Sequence, residues 1–245
     1  MTARRSWPAL EPCLDAGHRA AVLARLDGPP GVAAFDADGT LWDADAGEAL
    51  LAELGDRNEL LAPHPPNAFA EYARRLELDP ADGFAYATAV LAGLTEAFVV
   101  AEAERIFRER VRPRIFPPMR ELVAGLQARG WVVFLVSASN RWSIAPGARE
   151  LGVPIDHVIA VDVAVENGRL TDRVAQPVPT LAGKAELFRG RTGRAPDLAC
   201  GNSRLDIPLL ESARLPVAVG PRAQGTPLLA DAALHGWAIL RVGAP

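Results

Sequence analysis

The sequence has little cysteine and almost no lysine, and its charges are spread without blocks. Two cysteines in 245 residues, Cys13 and Cys200, are too few for a disulfide framework. With 26 basic and 30 acidic residues the formal net charge is −4. No run of like charges predicts a surface for nucleic acid or for an anionic membrane. Only one basic residue is a lysine, Lys184, which suggests a position that needs a compact, flexible ammonium.

Long hydrophobic runs are also missing. The longest notable apolar stretch, residues 131–136, is too short to cross a bilayer. Arg4 and Arg5 are followed by Trp7 and Pro8 rather than by an apolar segment, so no signal peptide is predicted. The composition, 49% hydrophobic and 23% charged, is that of an ordinary globular protein of one or two domains. We therefore expect a cytoplasmic protein with no membrane partner.

One stretch, residues 32–43 (VAAFDADGTLWD), joins a short apolar run to a cluster of acids. Residues 32–35 predict a buried strand, and Asp36, Asp38 and Gly39 follow directly. Residues i and i+2 of a strand point to the same side, so both carboxylates are expected to crowd one spot. Such crowding costs free energy unless a cation lies between them or one carboxyl holds a proton. The alternative interpretation is an ordinary Asp-Gly turn after a strand.

From about Asp45 to Val111 the pattern is helical and contains no convincing strand. Proline and glycine breaks divide this region, and Thr95 is a suitable N-cap. We predict four helices, near 47–55, 66–78, 80–93 and 96–111. They would form a small helical bundle inserted directly after the first strand. A lead-in helix is expected near 15–26.

The rest of the chain alternates strands and helices, which favours a parallel, doubly wound sheet with right-handed crossovers. Strands are predicted near 131–136, 157–162, 197–200 and 215–219, helices near 118–129, 143–151, 182–190 and 204–213, and a last helix and strand over 226–241. Asn167-Gly168 predicts a β-hairpin. The predicted fold is an α/β core formed by residues 1–44 and 112–245, with an all-helical cap at 45–111.

Polar side chains end three predicted strands and open one helix, and parallel strands bring such ends to a single sheet edge. They are Asp36, Asp38, Ser137, Lys184, Asn202 and Asp206. This set suits phosphoryl transfer. One carboxylate can attack phosphorus, and a second acid can protonate the leaving oxygen and then activate water. A hydroxyl, an ammonium and a hard divalent cation can hold the phosphoryl oxygens.

These stretches resemble, in order, the motifs of the haloacid dehalogenase (HAD) superfamily in its phosphoserine-phosphatase-like branch. Asp36-Ala-Asp38-Gly-Thr-Leu matches the DxDGT motif, and the resemblance implies that Asp36 is the nucleophile and Asp38 the general acid and base. It also implies that Ser137, with Ala138 beside it, and Lys184 bind phosphate. The helical insertion matches the position of the cap in this branch. The resemblance covers roughly residues 30–220.

Residues 201–206 (GNSRLD) resemble the GDxxxD metal motif of the family. The resemblance implies Mg²⁺ as cofactor, held by Asp36, Asp38, Asn202 and Asp206. The chain departs from the motif at Asn202, where the family has a metal-ligating aspartate. An asparagine carbonyl can still bind Mg²⁺, but one negative charge is lost.

Each of these residues also has a purely structural interpretation. Ser137 can be a strand-terminal hydroxyl, and Lys184 a solvated helix residue. Asn202-Ser203 can be a helix N-cap, and Asp206 an acid that favours the helix dipole.

Substrate selectivity is expected to come from the cap, because a bundle over the sheet edge would exclude water. The resemblance implies an acid that binds a substrate amine, at Asp45, and a cap arginine that binds a carboxylate, at Arg74 or Arg75. Aromatic side chains of the same region would instead suit a quaternary ammonium. The candidate substrate contacts are Trp42, Asp45, Glu48, Phe69, Tyr72, Arg74 and Arg75.

The sequence thus predicts a Mg²⁺-dependent phosphomonoester hydrolase that acts on a small phosphorylated metabolite through an aspartyl-phosphate. A phosphotransferase or phosphomutase shares the first half-reaction and stays an alternative. A catalytically silent binding protein with the same fold is the alternative from a different class. No nucleic-acid partner is expected.

Overall fold

Residues 6–243 are described by the computed structural model, and they contain a six-stranded parallel sheet with helices on both faces. The strands are β1 (Val32–Phe35), β2 (Val132–Asn140), β3 (Val158–Val161), β4 (Val163–Glu166), β5 (Arg169–Val174), β6 (Leu198–Gly201), β7 (Pro216–Pro221) and β8 (Ala238–Val242). The sheet order is β3-β2-β1-β6-β7-β8, and β4 and β5 form a separate hairpin. The predicted α/β fold with a doubly wound parallel sheet is confirmed.

Ten α-helices lie in the described part of the chain. They are α1 (Arg19–Leu26), α2 (Ala46–Asp56), α3 (Ala68–Leu78), α4 (Pro80–Ala89), α5 (Glu96–Ile106), α6 (Pro117–Gln127), α7 (Arg141–Glu150), α8 (Ala182–Thr192), α9 (Ile207–Ser212) and α10 (Pro227–His235). Within residues 6–243, none of the helices is both long and apolar enough to cross a membrane.

Strand β1 lies in the middle of the sheet, between β2 and β6. Phe35 pairs with Leu135 of β2 and with Cys200 of β6. Because the three strands are parallel, the residues that follow them meet at one edge. The strand order also reverses beside β1, and doubly wound sheets bind their ligands at such a reversal.

Successive residues of β1 face opposite layers, as in any strand. Ala33 and Phe35 belong to the core under α1, α6 and α7, whereas Ala34 belongs to the core under α8, α9 and α10. All three side chains are fully buried. This burial on both faces explains why the sequence of the strand is continuously apolar.

A third core is buried by helices α2 to α5 together with the β4–β5 hairpin. The hairpin turns at Asn167 and Gly168, which both have positive φ, 50° and 73°, as a two-residue type I′ turn requires. The backbone of Leu170 in β5 pairs with Gly93 N (2.8 Å) and Leu94 O (2.9 Å). The predicted hairpin is therefore present, and it packs against the helical insertion.

Four helices occupy the region in which four were predicted, with shifted ends. Helix α4 ends at Ala89 rather than near residue 93, because the segment after it pairs with β5. Helix α5 ends at Ile106 and continues as a π-helical turn, Phe107–Val111. The division into a core of 1–44 and 112–245 and a cap of 45–111 stays a prediction, and its residues 1–5 and 244–245 lie outside the described part.

Three other boundaries differ from the prediction. Strand β2 runs on to Asn140, whose side chain accepts the N–H of Ser143 (2.9 Å) and so caps α7. The lead-in helix begins at Arg19, because the Asp15 carboxylate caps a preceding turn. The predicted helix 204–213 is a short 3₁₀ turn followed by α9.

Candidate active site

Asp36 follows β1 directly and is almost completely buried, with 6% of its surface exposed. One carboxylate oxygen, Oδ1, accepts a hydrogen bond from Lys184 Nζ at 2.6 Å. The other, Oδ2, accepts one from Thr40 Oγ1 at 2.7 Å. Burial and the negative charge of Asp206 raise the pKa of Asp36 to about 7, against the opposing effects of Lys184 and Thr40. A cation bound beside this carboxylate would lower that pKa and favour the ionised form.

Lys184 lies in the first turn of α8 and is 2% exposed. Its ammonium donates to Asp36 Oδ1 and to Asp206 Oδ1, both at 2.6 Å. Burial alone would lower the pKa of Lys184, but the two carboxylates raise it above its ordinary value, so the amine stays charged. A cation is disfavoured at a helix N-terminus, and these two partners offset that cost. Lys184 is therefore not a solvated helix residue.

Asp38 has hydrogen-bond donors of its own. Its Oδ1 accepts hydrogen bonds from Trp42 Nε1 (2.7 Å) and from the Ala46 N–H (2.8 Å), and its Oδ2 accepts one from Ser139 Oγ (2.6 Å). Burial raises the pKa of Asp38 in spite of these donors. Two neighbouring carboxyls with separate partners are suited to separate tasks, one as nucleophile and one as acid.

Both carboxylates line one cavity, but they share no hydrogen-bond donor. Strand β1 ends at Phe35, and Gly39, which follows both acids, has a φ of +75°, so the backbone turns directly after Asp38. A Cβ at Gly39 would also lie 2.1 Å from the side-chain amide group of Asn202. Glycine is thus required at this turn by its backbone angle and by the close approach of a neighbour.

Asn202 follows β6, and its side chain meets three oxygens of the β1 loop. With its amide nitrogen turned towards them, Nδ2 donates to Asp36 Oδ2 (3.0 Å), to the Asp38 carbonyl oxygen (3.1 Å) and to Thr40 Oγ1 (3.1 Å). Carboxylate, carbonyl and amide oxygens are ligands that Mg²⁺ prefers. With the amide reversed, Asn202 would add its own oxygen to this cluster, so the donor set fits a hard cation, with one carboxylate fewer than the family motif.

The predicted metal ligands are only partly brought together. The Asp38 carboxylate accepts a hydrogen bond from Ser139. Only the backbone carbonyl oxygen of Asp38 contacts Asn202. Both oxygens of Asp206 are also taken, Oδ1 by Lys184 and Oδ2 by the N–H groups of Asn202 and Ser203, at 3.0 Å each. Over residues 6–243, no three histidine, cysteine, aspartate or glutamate side chains are placed to share a metal ion. Asp206 instead positions Lys184 and, with Ser203, forms the capping box of the 3₁₀ turn.

A cavity of about 190 Å³ opens beside Asp36. Ser137 is buried at its wall and accepts the Ser139 N–H at 3.1 Å, with Ala138 between them. The cavity is lined by Asp36, Asp38, Asp45, Glu48, Tyr72, Leu76, Phe84, Ser137, Ala138, Ser139, Lys184, Asn202, Ser203 and Leu205. It therefore joins the sheet edge to helices α2, α3 and α4.

A family model of haloacid dehalogenase-like hydrolases matches residues 33–211 of the chain. The chain belongs to this family. Phosphoserine phosphatase SerB2 of Mycobacterium tuberculosis is 30% identical over 189 residues, which are 75% of this chain and 42% of that protein. Phosphoserine phosphatase of Halobacterium salinarum is 27% identical over 194 residues, which are 77% of this chain and 85% of that protein. The chain thus spans about two fifths of the length of SerB2.

Solved structures share the fold. A Bordetella pertussis protein of unknown function matches with a TM-score of 0.73 at 25% identity, over 87% of this chain and 99% of that one. A substrate-bound phosphoserine phosphatase matches with a TM-score of 0.60 at 20% identity, over 84% of this chain and 91% of that one. The sequence-based identification of a phosphoserine-phosphatase-like member of the HAD family is confirmed.

The substrate residues suggested by the HAD resemblance divide into two groups. Asp45 and Glu48 of the α2 N-terminus line the cavity. Arg74 and Arg75 do not, because both pair with Glu71 on the outer side of α3. The two arginines are therefore not placed to bind a ligand in the cavity.

The aromatic candidates divide in the same way. Tyr72 lines the cavity. Trp42 is instead fully buried within the hydrophobic core, where its ring contacts Phe107 edge-on. Phe69 is not a lining residue either, and contacts Tyr72 edge-on.

Several residues that line the cavity or contact its side chains were not predicted from the sequence. Ser139 stands two residues after Ser137, a spacing that places both on one side of β2, and this signal was available. Leu76 and Phe84 carried no signal beyond helical periodicity. Thr40 belongs to the DxDGT match, but nothing in the sequence pairs it with Asn202.

Proposed function

We propose that this HAD-family chain is a Mg²⁺-dependent phosphomonoester hydrolase that forms a phosphoenzyme on Asp36. The observation that carries the proposal is the position of Asp36. It lies at the cavity between the buried ammonium of Lys184 and the hydroxyl of Thr40. A second acid, Asp38, lies beside it and shares none of its hydrogen-bond donors.

In the first half-reaction, an Asp36 carboxylate oxygen attacks the phosphorus of the ester. The bond between phosphorus and the ester oxygen breaks, and Asp38 gives its proton to the leaving oxygen, so that an alcohol departs. Burial raises the pKa of Asp38, which favours the protonated form that this transfer needs. Lys184 and Ser137 would stabilise the charge that develops on the phosphoryl oxygens.

In the second half-reaction, the Asp38 carboxylate takes a proton from water while the water oxygen attacks phosphorus. The bond between phosphorus and Asp36 breaks, inorganic phosphate leaves, and Asp36 is again a carboxylate. Ser139 and the Ala46 N–H hold the Asp38 carboxyl in place for both proton transfers. Asp206 fixes Lys184 and so acts as a positioning residue.

Mg²⁺ would be held by Asp36 Oδ2, the Asp38 carbonyl oxygen and the side-chain oxygen of Asn202. When bound, it would neutralise negative charge between the phosphoryl group and the buried carboxylates. The family's usual metal-ligating aspartate would add one more negative charge. We therefore expect Mg²⁺ to bind more weakly at Asn202 than at an aspartate, and we expect activity still to depend on Mg²⁺.

The test is release of phosphate from p-nitrophenyl phosphate, with Mg²⁺ and with a chelator. We expect turnover that depends on Mg²⁺ and that Asp36→Asn abolishes. The matched control is Asp43→Asn, which makes the same chemical change at an exposed residue outside the cavity and should keep activity. Turnover that survives Asp36→Asn would exclude Asp36 as the nucleophile.

One observation favours a second candidate, a phosphate-binding protein without catalysis. The neutral amide of Asn202 bonds to Asp36 Oδ2 and to the Asp38 carbonyl at the place where a cation would bind. This candidate predicts no turnover of any ester by a folded wild-type chain. A phosphotransferase would show itself by a phosphorylated alcohol as product when an acceptor alcohol is added.

A further inference from the structure

The cavity has two halves with opposite chemical character. The half at the sheet edge carries Lys184, Ser137 and the nucleophile, and it suits a phosphoryl group. The half under the helical insertion is walled by two carboxylates and two aromatic rings. A substrate bound by the first half places the remainder of its alcohol group in the second half.

The two carboxylates of the second half belong to Asp45 and Glu48. Asp45 caps α2, and its Oδ1 accepts the Glu48 N–H at 2.7 Å. Glu48 Oε1 accepts the hydroxyl of Tyr72 at 3.2 Å. Within residues 6–243, neither carboxylate has a lysine, arginine or histidine within 4.0 Å. No basic side chain of the described residues therefore competes with a ligand for these two carboxyl groups.

No positive side chain of the described residues faces this half of the cavity. Lys184 is the only basic residue of the lining, and it is held by Asp36 and Asp206. The nearest arginines of α3 are engaged elsewhere: Arg74 pairs with Glu71, and Arg75 pairs with Glu71 and Asp82. A carboxylate on the substrate would thus find no counter-charge and would be repelled by the two acids.

The aromatic wall favours a cation as well. Tyr72 and Phe84 both line the cavity, with their ring centroids 6.1 Å apart and their planes tilted by 55°. Leu76 completes this wall. Aromatic faces beside carboxylates attract alkylammonium groups, including quaternary ones that donate no hydrogen bond.

We propose that the substrate is the phosphomonoester of a small amino alcohol, with an ammonium group and no carboxylate. Asp45 and Glu48 bind the ammonium, and Tyr72 and Phe84 cover its apolar face. The inference rests on the proposed hydrolase function, which identifies the group bound at the sheet edge as a phosphoryl group. It departs from what the names of the phosphoserine phosphatase relatives would suggest, because serine carries a carboxylate.

The experiment compares kcat/KM for four esters of similar size: O-phosphoethanolamine, phosphocholine, O-phosphoserine and n-propyl phosphate. The last has the shape of phosphoethanolamine without its charge. We expect both ammonium esters without a carboxylate to exceed propyl phosphate and phosphoserine by at least tenfold. A preference for phosphoethanolamine would assign the main role to the acids, and one for phosphocholine to the aromatic rings; either supports the proposal.

Asp45→Asn and Glu48→Gln test the residues. Asparagine is as good an N-cap as aspartate, and glutamine keeps an oxygen for the Tyr72 hydroxyl, so both variants should fold. We expect each to lower the ratio of kcat/KM for the ammonium ester to that for propyl phosphate by at least fivefold. Asp43→Asn, the exposed control, should leave the ratio as it is. An unchanged ratio in both cavity variants, or phosphoserine as the best ester, would overturn the proposal.

Failure of the hydrolase function would be recognised separately. Binding of the four esters to Asp36→Asn, measured by calorimetry, reports selectivity without turnover. If the wild-type chain hydrolyses neither these esters nor the aryl phosphate, hydrolysis is refuted. Tighter binding of the two ammonium esters would then still support the recognition of a cation, and equal binding of all four would refute it.

Discussion

Replacing Lys184 by methionine would remove the positive charge between Asp36 and Asp206 while keeping a side chain of similar length. Both ion pairs have N–O distances of 2.6 Å, and Lys184 is 2% exposed, so water cannot screen the change. Two buried carboxylates would be left facing each other without a cation. Asp206 also holds the backbone of the 202–203 turn, so the perturbation reaches the loop after β6.

The magnitude follows from these distances. At an effective dielectric constant of 20, a pair separated by 2.6 Å gains about 6 kcal/mol of attraction. Desolvation of the ions cancels much of this gain, and breaking a buried pair by removal of one partner costs about 3–5 kcal/mol. Because domains are stable by about 5–15 kcal/mol, Lys184→Met should lose a large share of the free energy of unfolding.

The loss should depend on pH. Without the lysine, the folded-state pKa of Asp36 would lie further above that of the unfolded chain, so stability falls as pH rises through it. This pKa is already about 7 with the lysine present. The penalty should therefore be larger at pH 8 than at pH 5, where protonation of Asp36 relieves the repulsion.

Urea unfolding of the wild type and of Lys184→Met at pH 5 and pH 8 measures this penalty. Lys184→Met combined with Asp206→Asn is the control, because it removes one of the stranded charges and should regain part of the stability at pH 8. A variant that is as stable as the wild type, or equally destabilised at both pH values, would refute the reasoning. Loss of activity with full stability would mean that the ammonium acts on the substrate alone.

Three further predictions follow from the same contacts. Asn202→Asp restores a carboxylate to the oxygen cluster and should lower the Mg²⁺ concentration for half-maximal activity roughly tenfold, or about 1.4 kcal/mol, in a metal titration. Ser139→Ala removes the 2.6 Å bond to Asp38 and should lower kcat by roughly tenfold, with a shifted acidic or basic limb of the pH–rate profile, whereas KM should change little. Gly147→Ala places a Cβ 2.5 Å from the indole that donates to Asp38 and should cost about 1–3 kcal/mol in thermal unfolding. Gly190→Ala, at a helical position with open space, should be neutral or stabilising.

Each of these has an outcome that contradicts it. An Mg²⁺ requirement that is equal in Asn202→Asp and the wild type would remove Asn202 from the metal site. A Ser139→Ala variant with an unchanged pH profile would mean that the hydroxyl does not position the acid. If Gly147→Ala and Gly190→Ala are equally stable, the close approach at Gly147 is not a constraint.

The order of motifs could be read from the sequence because each depends on local physical chemistry. The apolar run before Asp36, the glycine at 39 and the Asn-Gly turn at 167–168 are decided by burial and by backbone angles of a few adjacent residues. The alternation of strands and helices then dictates a parallel sheet, and a parallel sheet brings the strand ends to one edge. The α/β fold and the meeting of Asp36 with Lys184 therefore followed from the chain itself.

The directions of the side chains at that edge were decided only by the tertiary structure. Alternation predicts that Asp36 and Asp38 share a side, and both line the cavity, but it does not specify the separate hydrogen-bond partners of the two carboxylates. The partner of Asp38 is Ser139, 101 residues away, and no local pattern specifies a contact of that kind. The same is true of the helical insertion, where periodicity defines the helices but not which face covers the cavity. Packing placed Asp45 and Glu48 at the cavity and left Arg74 and Arg75 outside it, because the arginines pair with acidic residues on the protein surface.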